Sequence, residues 1–447
     1  MDSIITEFTS VRLPDKRYES NFKEMLLHLN DGLGLSYSRA LGERLRKSAW
    51  RLFSRKELDF QSGHRERTLE RCGEEKVILA VEDTTDLSYT PHKKSKSWAG
   101  RLGGSNDNKA VGASVHTNML LTEQGVPLGI AYQRIWLPDD SHKDLRSRTL
   151  PIEEKESFKW ILALRQLNTL WKDKSDGIII KISDRESDFY ELYAHSRESG
   201  VELLQRVHHK NRKVLFDNKE QYLMDVLRQL PALGTGEVKI GRNKEAEERK
   251  ARVNYYATAV KIKPSGNIGK GDILEMNLIW VKEQSESKDA VEWIFLTTLS
   301  IKTIEDVLKC TKYYTYRWVI ERFHYILKQT LFLEALQIDD FTRLYNVLQI
   351  YALIAWHLLW LYRLGRSESK NPATDYFDEQ SIEVLEVVTK KKTKTVDEFI
   401  KNLAQLAGFE PTKQQPNPGE KTLAQAMIRF FALYQGFMSA KKFYNTG

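Results

Sequence analysis

The chain has 447 residues, 41% hydrophobic and 29% charged, which fits an ordinary soluble globular protein of roughly two to four domains rather than one simple core. Its net charge of +8 and pI of about 9.0 favour a polyanionic partner, although the excess is modest for this length. Two cysteines, Cys72 and Cys310, exclude a disulfide scaffold and a Cys-rich zinc site, and they fit a reducing compartment.

The opening MDSIITEFTS has neither the basic n-region nor the apolar h-region of a signal peptide, so none is expected there. Residues 1 to about 72 read as helices, with apolar and basic positions alternating at helical spacing through FKEMLLHLNDGLGLSYSRALGERLRKSAWRLFSRKEL. Arg44, Arg46, Lys47, Arg51, Arg55 and Lys56 cluster there. They suit either a solvated basic face or a small DNA-contacting module.

The period then changes. KVILAVED, residues 76–83, is a continuous apolar run with β-branched residues and reads as a central strand ending in acids. A polar, glycine-bearing loop follows, HKKSKSWAGRLGGSNDNK, and then strands near 111–121 and 127–136. KESFKWILALRQLNTLWK reads as a helix, GIIIKISD (177–184) as a second buried strand ending in an acid, ESDFYELYAHSRES as a helix and VELLQRV as a strand. That order predicts an α/β domain with a mixed central sheet.

From 212 to 300 the text is strand-rich again, through VKIG, ARVNYYATAVKI, ILEMNLIWVKE and VEWIFLTTL, and predicts a β insertion. One long helix is expected over about 304–330, and helical segments finish the chain. The apolar stretch Leu344–Leu364 is interrupted by Asn346, Gln349, His357 and Arg363, which favours a buried helix over a membrane span. Polar stretches near 366–376 and 410–420 read as joints, and Lys390, Lys391, Lys392 and Lys394 as a solvated charge cluster.

Two acids, Asp83 and Asp184, close predicted buried strands, where α/β sheets concentrate functional side chains. Taken singly, each is more often a turn or cap residue. Should the strands be neighbours, the pair could share a hard divalent cation, with Glu321 as a third carboxylate. Glu321 lies in YYTYRWVIERFHYILKQ. On a regular helix Tyr314, Arg317, Glu321 and Lys328 fall at about 0°, −60°, −20° and −40°, one narrow arc, with Trp318, Ile320, Phe323 and Leu327 or their neighbours on the opposite face. By itself the arc is equally an ordinary i,i+4 ion pair on a surface helix.

VEDTTDLSY at 81–89, SDRESDFY at 183–190 and the spacing Tyr314-x2-Arg317-x3-Glu321-x6-Lys328 closely resemble the bacterial insertion-sequence transposases that carry a YREK signature. VHTNMLL at 115–121, WLPDD at 136–140 and EKESFKW at 154–160 match in order, and the resemblance runs from RLPDKR at residue 12 to near the C-terminus. It implies a DDE cut-and-paste enzyme with a ribonuclease-H-like mixed-sheet core interrupted by a β insertion and flanked by helical terminal domains. The expected boundaries are a helical DNA-binding domain at 1–72, catalytic core at 73–211 and 301–365, β insertion at 212–300, and a helical dimerisation and DNA-contact region at 366–447.

The resemblance also implies roles. Asp83, Asp184 and Glu321 look like the ligands of two Mg²⁺ ions, for which Mn²⁺ could substitute. Tyr314, Arg317 and Lys328 look like backbone contacts around the transposon end, and Trp293 like the insertion-domain residue that stacks on a flipped base, although a β-core tryptophan would read the same way. Arg206 and His208 stand where the family has basic DNA contacts. Two positions depart from the pattern: Tyr325 replaces a lysine one turn after the glutamate, and His208 replaces another, making any cationic contact there pH-dependent. The implied partners are inverted-repeat ends, target DNA and a second copy of the chain in a synaptic complex. The helix at 423–445 suits either that dimer contact or packing within the chain. No membrane partner is expected, and the implied setting is the bacterial cytoplasm at the nucleoid. Another ribonuclease-H-like DNA nuclease and an inactive, DNA-binding element copy remain rival readings.

Overall fold

The computed structural model describes residues 4–8, 11, 13, 15–31, 40–56, 58–73, 75–92, 97–102, 109–138, 150–171, 177–240, 249–264, 271–287 and 289–445. Parts of several sequence features therefore lie outside the described residues: 1–3 and 9–10 of MDSIITEFTS, Arg12 and Pro14 of RLPDKR, residues 32–39 of the expected N-terminal helices, Asp139 and Asp140 of WLPDD, and residues 93–96 and 103–108 of the glycine-bearing loop. The protein is mixed α/β and resolves into two compact units, one of Met1–Gly73, Thr84–Asp140 and Ile320–Gly447, the other of Glu74–Asp83 and Ser141–Val319.

The first unit opens with helices α1 (Lys16–Asp31), α2 (Gly42–Phe53) and α3 (Ser62–Cys72). Strand β1 (Val77–Ser88) runs through both units and enters this one at Thr84. Beside it are β2 (Gly100–Arg101), β3 (Val111–Leu121) and β4 (Pro127–Trp136), with β3 antiparallel to both β2 and β4. Close approach at β3 requires glycine: a Cβ on Gly112 would stand 1.9 Å from the Leu87 carbonyl oxygen.

The second unit carries the first half of β1, then α4 (Phe158–Trp171), β5 (Ile178–Ser183), α5 (Tyr190–Ser199) and β6 (Glu202–Arg206). Next come β7 (Lys213–Phe216), β8 (Lys219–Tyr222), α6 (Leu223–Gln229), β9 (Gly234–Ile240), β10 (Arg249–Ile262), β11 (Leu274–Glu283) and β12 (Glu292–Thr297). Its strand order is β1-β5-β6-β12-β11-β10-β7-β8, with β9 on β10. β1, β5 and β6 are parallel, and β12 returns antiparallel to β6. The buried runs Ile78–Val81 and Ile179–Ile182 explain why this part of the sheet forms: both faces are covered, so nearly every position is apolar or β-branched.

Two expectations need correction. β1 does not end at Asp83 but continues through the β-branched Thr84 and Thr85 to Ser88, so Asp83 stands within a strand. The long helix over 304–330 is not continuous. A capping box, Thr303 with Asp306, starts α7 (Ile304–Thr315). The chain then tightens: the Tyr316 and Arg317 amides donate to the Tyr313 and Tyr314 carbonyls, each at 3.0 Å, before α8 (Trp318–Tyr325) begins. Ile326–Thr330 form a π turn, closed by the Leu331 amide donating to the Ile326 carbonyl at 2.9 Å.

The first unit finishes with α9 (Phe341–Ser367), α10 (Glu379–Thr389), α11 (Val396–Gln405) and α12 (Glu420–Asn445). By length and composition α9 could cross a membrane, but it is a core helix here. Its polar residues serve packing: Asn346 donates to the Phe53 and Arg55 carbonyls, and the Gln349 side-chain oxygen accepts from the Phe60 amide. Helix α12 is buried through Leu423, Met427 and Phe430, whereas Leu433 and Phe443 are exposed, the latter by 74%.

Candidate functional site

The second unit brings five of the sequence-identified residues together. β1 and β5 keep a parallel register from Val77↔Ile178 to Val81↔Ile182. Continued by two residues, it sets Asp83 beside Asp184, which directly follows β5. The Asp184 backbone is held by Ser187, whose amide and hydroxyl donate to its carbonyl at 3.1 and 2.7 Å.

Arg317, from the tightened turn after α7, reaches both aspartates. Its two terminal nitrogens stand 3.9 Å from Asp83 Oδ2 and 3.9 Å from Asp184 Oδ2, ion-pair distances longer than a hydrogen bond. The arginine is buried against the rings of Tyr314 and Trp318, at 5.9 and 5.2 Å, while the Asp83 and Asp184 side chains are 25% and 33% exposed. Tyr314 donates its hydroxyl to Asp184 Oδ1 at 3.2 Å, and Arg206 Nη1 lies 3.7 Å from that same oxygen. Burial, and then the Asp184 charge, push the Tyr314 phenol up to about 12, so it remains a donor at neutral pH.

Trp293 packs its ring on Tyr314 at 5.6 Å and on Phe295 at 6.2 Å, which places this half-buried tryptophan next to the cluster. His208 is exposed on the loop after β6 and its amide donates to Asp188 at 2.7 Å. Asp188 was not singled out from sequence, yet it organises this loop. It accepts from the His208 and His209 amides, the Tyr193 hydroxyl and Arg212, and is itself buried. SDRESDFY holds three acids, and nothing in their spacing sets Asp188 apart. Glu82, Lys181 and Ser183 were also missed; a charge inside each of two apolar strand runs was the mark.

Glu321, Tyr325 and Lys328 belong to the first unit. Glu321 is half-buried on α8, and Tyr325 closes that helix with Arg322 over its ring at 4.8 Å. Lys328 lies in the π turn. Burial, Lys328 and His116 together push the His324 imidazole down to about 3, so it is neutral at physiological pH. Trp318, expected on the buried face, is 56% exposed; even on a regular helix it falls at about +40°, beside the arc of Tyr314 and Glu321 and not opposite it.

Asp83 and Asp184 are hard oxygen donors on adjacent strands, which suits Mg²⁺ or Mn²⁺. Among the described residues no group of three or more His, Cys, Asp or Glu side chains is gathered closely enough to hold a metal. The arrangement offers two partly open carboxylates over a buried guanidinium, with a phenol and a second arginine at one side.

No known family model matches the chain. Among solved structures it is similar to piggyBac transposase in a synaptic complex with hairpin DNA, with 10% identity and a TM-score of 0.38 over 96% of this chain and 73% of that one. A likeness of this size is too weak to carry an argument about this chain.

Proposed function

We propose that the chain is a cut-and-paste DNA transposase of the DDE type, of the insertion-sequence group with the YREK signature, built on a ribonuclease-H-like core. The observation that supports this best is the meeting of Asp83 and Asp184 on Arg317, a residue of the signature itself, with Tyr314 donating to Asp184. Spacing along the sequence required no such meeting.

In this reading Asp83 and Asp184, with Glu321, would hold Mg²⁺ or Mn²⁺, which when bound activates an oxygen nucleophile and stabilises the leaving oxygen. Arg317, Arg206 and Tyr314 orient the scissile phosphate by charge and hydrogen bonding. Lys328, His208 and Tyr325 contact the DNA backbone, and Trp293 stacks on a base extruded from the duplex. A water oxygen attacks phosphorus and frees a 3′-hydroxyl, which attacks the opposite strand and closes a hairpin. A second water reopens the hairpin, and the 3′-hydroxyl then attacks target DNA. Each step forms one P–O bond, breaks another and protonates the departing oxygen. The helices of 1–72 and the region 366–447 would read the inverted repeat and pair two subunits.

The deciding experiment incubates the protein with a DNA fragment carrying the inverted repeats of its own element, with Mg²⁺ or EDTA, and resolves products on a denaturing gel. Mg²⁺-dependent hairpin ends are expected, and none with Asp184→Ala. Cleavage without hairpins would favour the rival nuclease, and full cleavage by Asp184→Ala would sink the assignment.

A further inference from the structure

A lysine in the middle of a buried strand calls for a physical reason. Lys181 of β5 and Glu82 of β1 are both buried, and the ammonium pairs directly with the carboxylate. Ser183 donates its hydroxyl to the same Glu82 oxygen at 3.0 Å and accepts from Lys181 Nζ at 3.3 Å. The Trp160 ring of α4 closes the group, 5.3 Å from the ammonium. Removing two charges from water is costly, and well-packed apolar residues of similar volume are often at least as stable. Stability alone is therefore a weak reason for this pair.

Its place in the sheet supplies a better one. Glu82 immediately precedes Asp83, and Ser183 immediately precedes Asp184. Side chains alternate along a strand, so Glu82, Lys181 and Ser183 share one face of the β1–β5 seam and the aspartates project from the other. The hydrogen bond from Ser183 to Glu82 crosses that seam one residue before the aspartates. Gln205 of β6 extends the tie, donating to the Lys181 carbonyl at 3.4 Å and accepting from Ser187, which holds the Asp184 backbone.

We propose that Glu82, Lys181 and Ser183 form a positioning clamp that fixes the spacing of the Asp83 and Asp184 carboxylates for a divalent cation. This rests on the function proposed above. The probe is Mn²⁺ alone, titrated calorimetrically into the full chain, with thermal unfolding measured in parallel. The paired variant Lys181→Met with Glu82→Gln removes both charges, so neither is left buried alone. It is expected to unfold near the wild-type temperature and to bind Mn²⁺ about tenfold more weakly, the scale of effect seen when groups supporting metal ligands are lost. Ser183→Ala, which keeps the ion pair, is expected to weaken Mn²⁺ binding in the same direction by a smaller factor, and it decides the matter should the paired variant fail to fold. Wild-type Mn²⁺ affinity in a folded paired variant, or in Ser183→Ala where the paired variant does not fold, would overturn the clamp. Asp184→Asn separates the two readings: Mn²⁺ binding indifferent to that change would overturn the site itself, whereas binding that Asp184→Asn abolishes and the clamp variants leave intact would overturn the clamp alone.

Discussion

Asp83 and Asp184 on one side, and Glu321 on the other, are carried by backbones that fix a side chain in different ways. Both aspartates lie two residues beyond a parallel pairing whose register holds over five consecutive residue pairs. Alternation with a period of two leaves little freedom there, and a slip of one residue would turn every side chain to the opposite face. Glu321 stands on an eight-residue helix between a tightened turn and a π turn. Each such departure from regular winding resets the direction of every later side chain. The direction of Glu321 is therefore set by local winding at 315–330, whereas the direction of the aspartates is set by the sheet.

The sharpest way to break this contrast is Glu321→Gln. Should all three carboxylates serve one metal site, DNA cleavage falls to background, as for an aspartate substitution. Stability is expected to change by about 0.5 kcal/mol or less, because glutamine keeps the size of a side chain that is only half-buried. Gel assay and thermal unfolding of the same preparation check both halves. A variant that still cleaves DNA would remove Glu321 from the site and leave a two-aspartate centre.

A smaller effect is expected at Tyr314→Phe, which deletes the 3.2 Å hydrogen bond to Asp184 without changing the ring. A loss of about 1 kcal/mol corresponds to roughly fivefold slower cleavage. The phenol also leaves a pH signature. Its pKa is raised, to about 12 from an ordinary 10, by burial and then by the Asp184 charge. The folded chain thus holds this proton more tightly than the unfolded chain. That contribution to stability is complete below pH 10 and is lost as pH rises towards 12, at most about 3 kcal/mol. Urea unfolding across that window should fall more steeply for wild type than for Tyr314→Phe, and parallel curves would show that the fold does not hold the phenol proton more tightly than the unfolded chain does.

What could be read from sequence divides along the same line. The runs at 111–121 and 127–136 match β3 and β4 in full, since alternation and flanking turns mark a strand locally. The aspartates were legible because buried apolar runs announce the strands that carry them. The extent of β1 was not, because VEDTTDLS turns polar at Asp83 while its threonines keep the extended backbone favourable. Nor was the break at Arg317. YYTYRWVIERF contains neither glycine nor proline, so nothing in its periodicity distinguishes a tightened turn from a continuous helix. The buried Glu82–Lys181 pair shows in the sequence only as two charges out of pattern, and their partnership depends on which strands become neighbours.

The smallest effect is expected at Tyr325, where the resemblance drawn from the sequence would place a lysine. Tyr325 is held under the Arg322 guanidinium, whose Nη2 donates to Glu420 of α12 at 2.6 Å. Tyr325→Lys restores a cation one turn after Glu321 but removes the cation–π contact, worth about 0.5–1 kcal/mol, and puts like charges side by side. The variant should therefore be slightly less stable while its DNA binding becomes more salt-sensitive, with the logarithmic salt slope steeper by about one. An unchanged slope would mean that this end of α8 does not face the DNA backbone. A steeper slope at unchanged stability would mean that the chain gave up a DNA contact here without gaining any hold on α12 through Arg322 and Glu420.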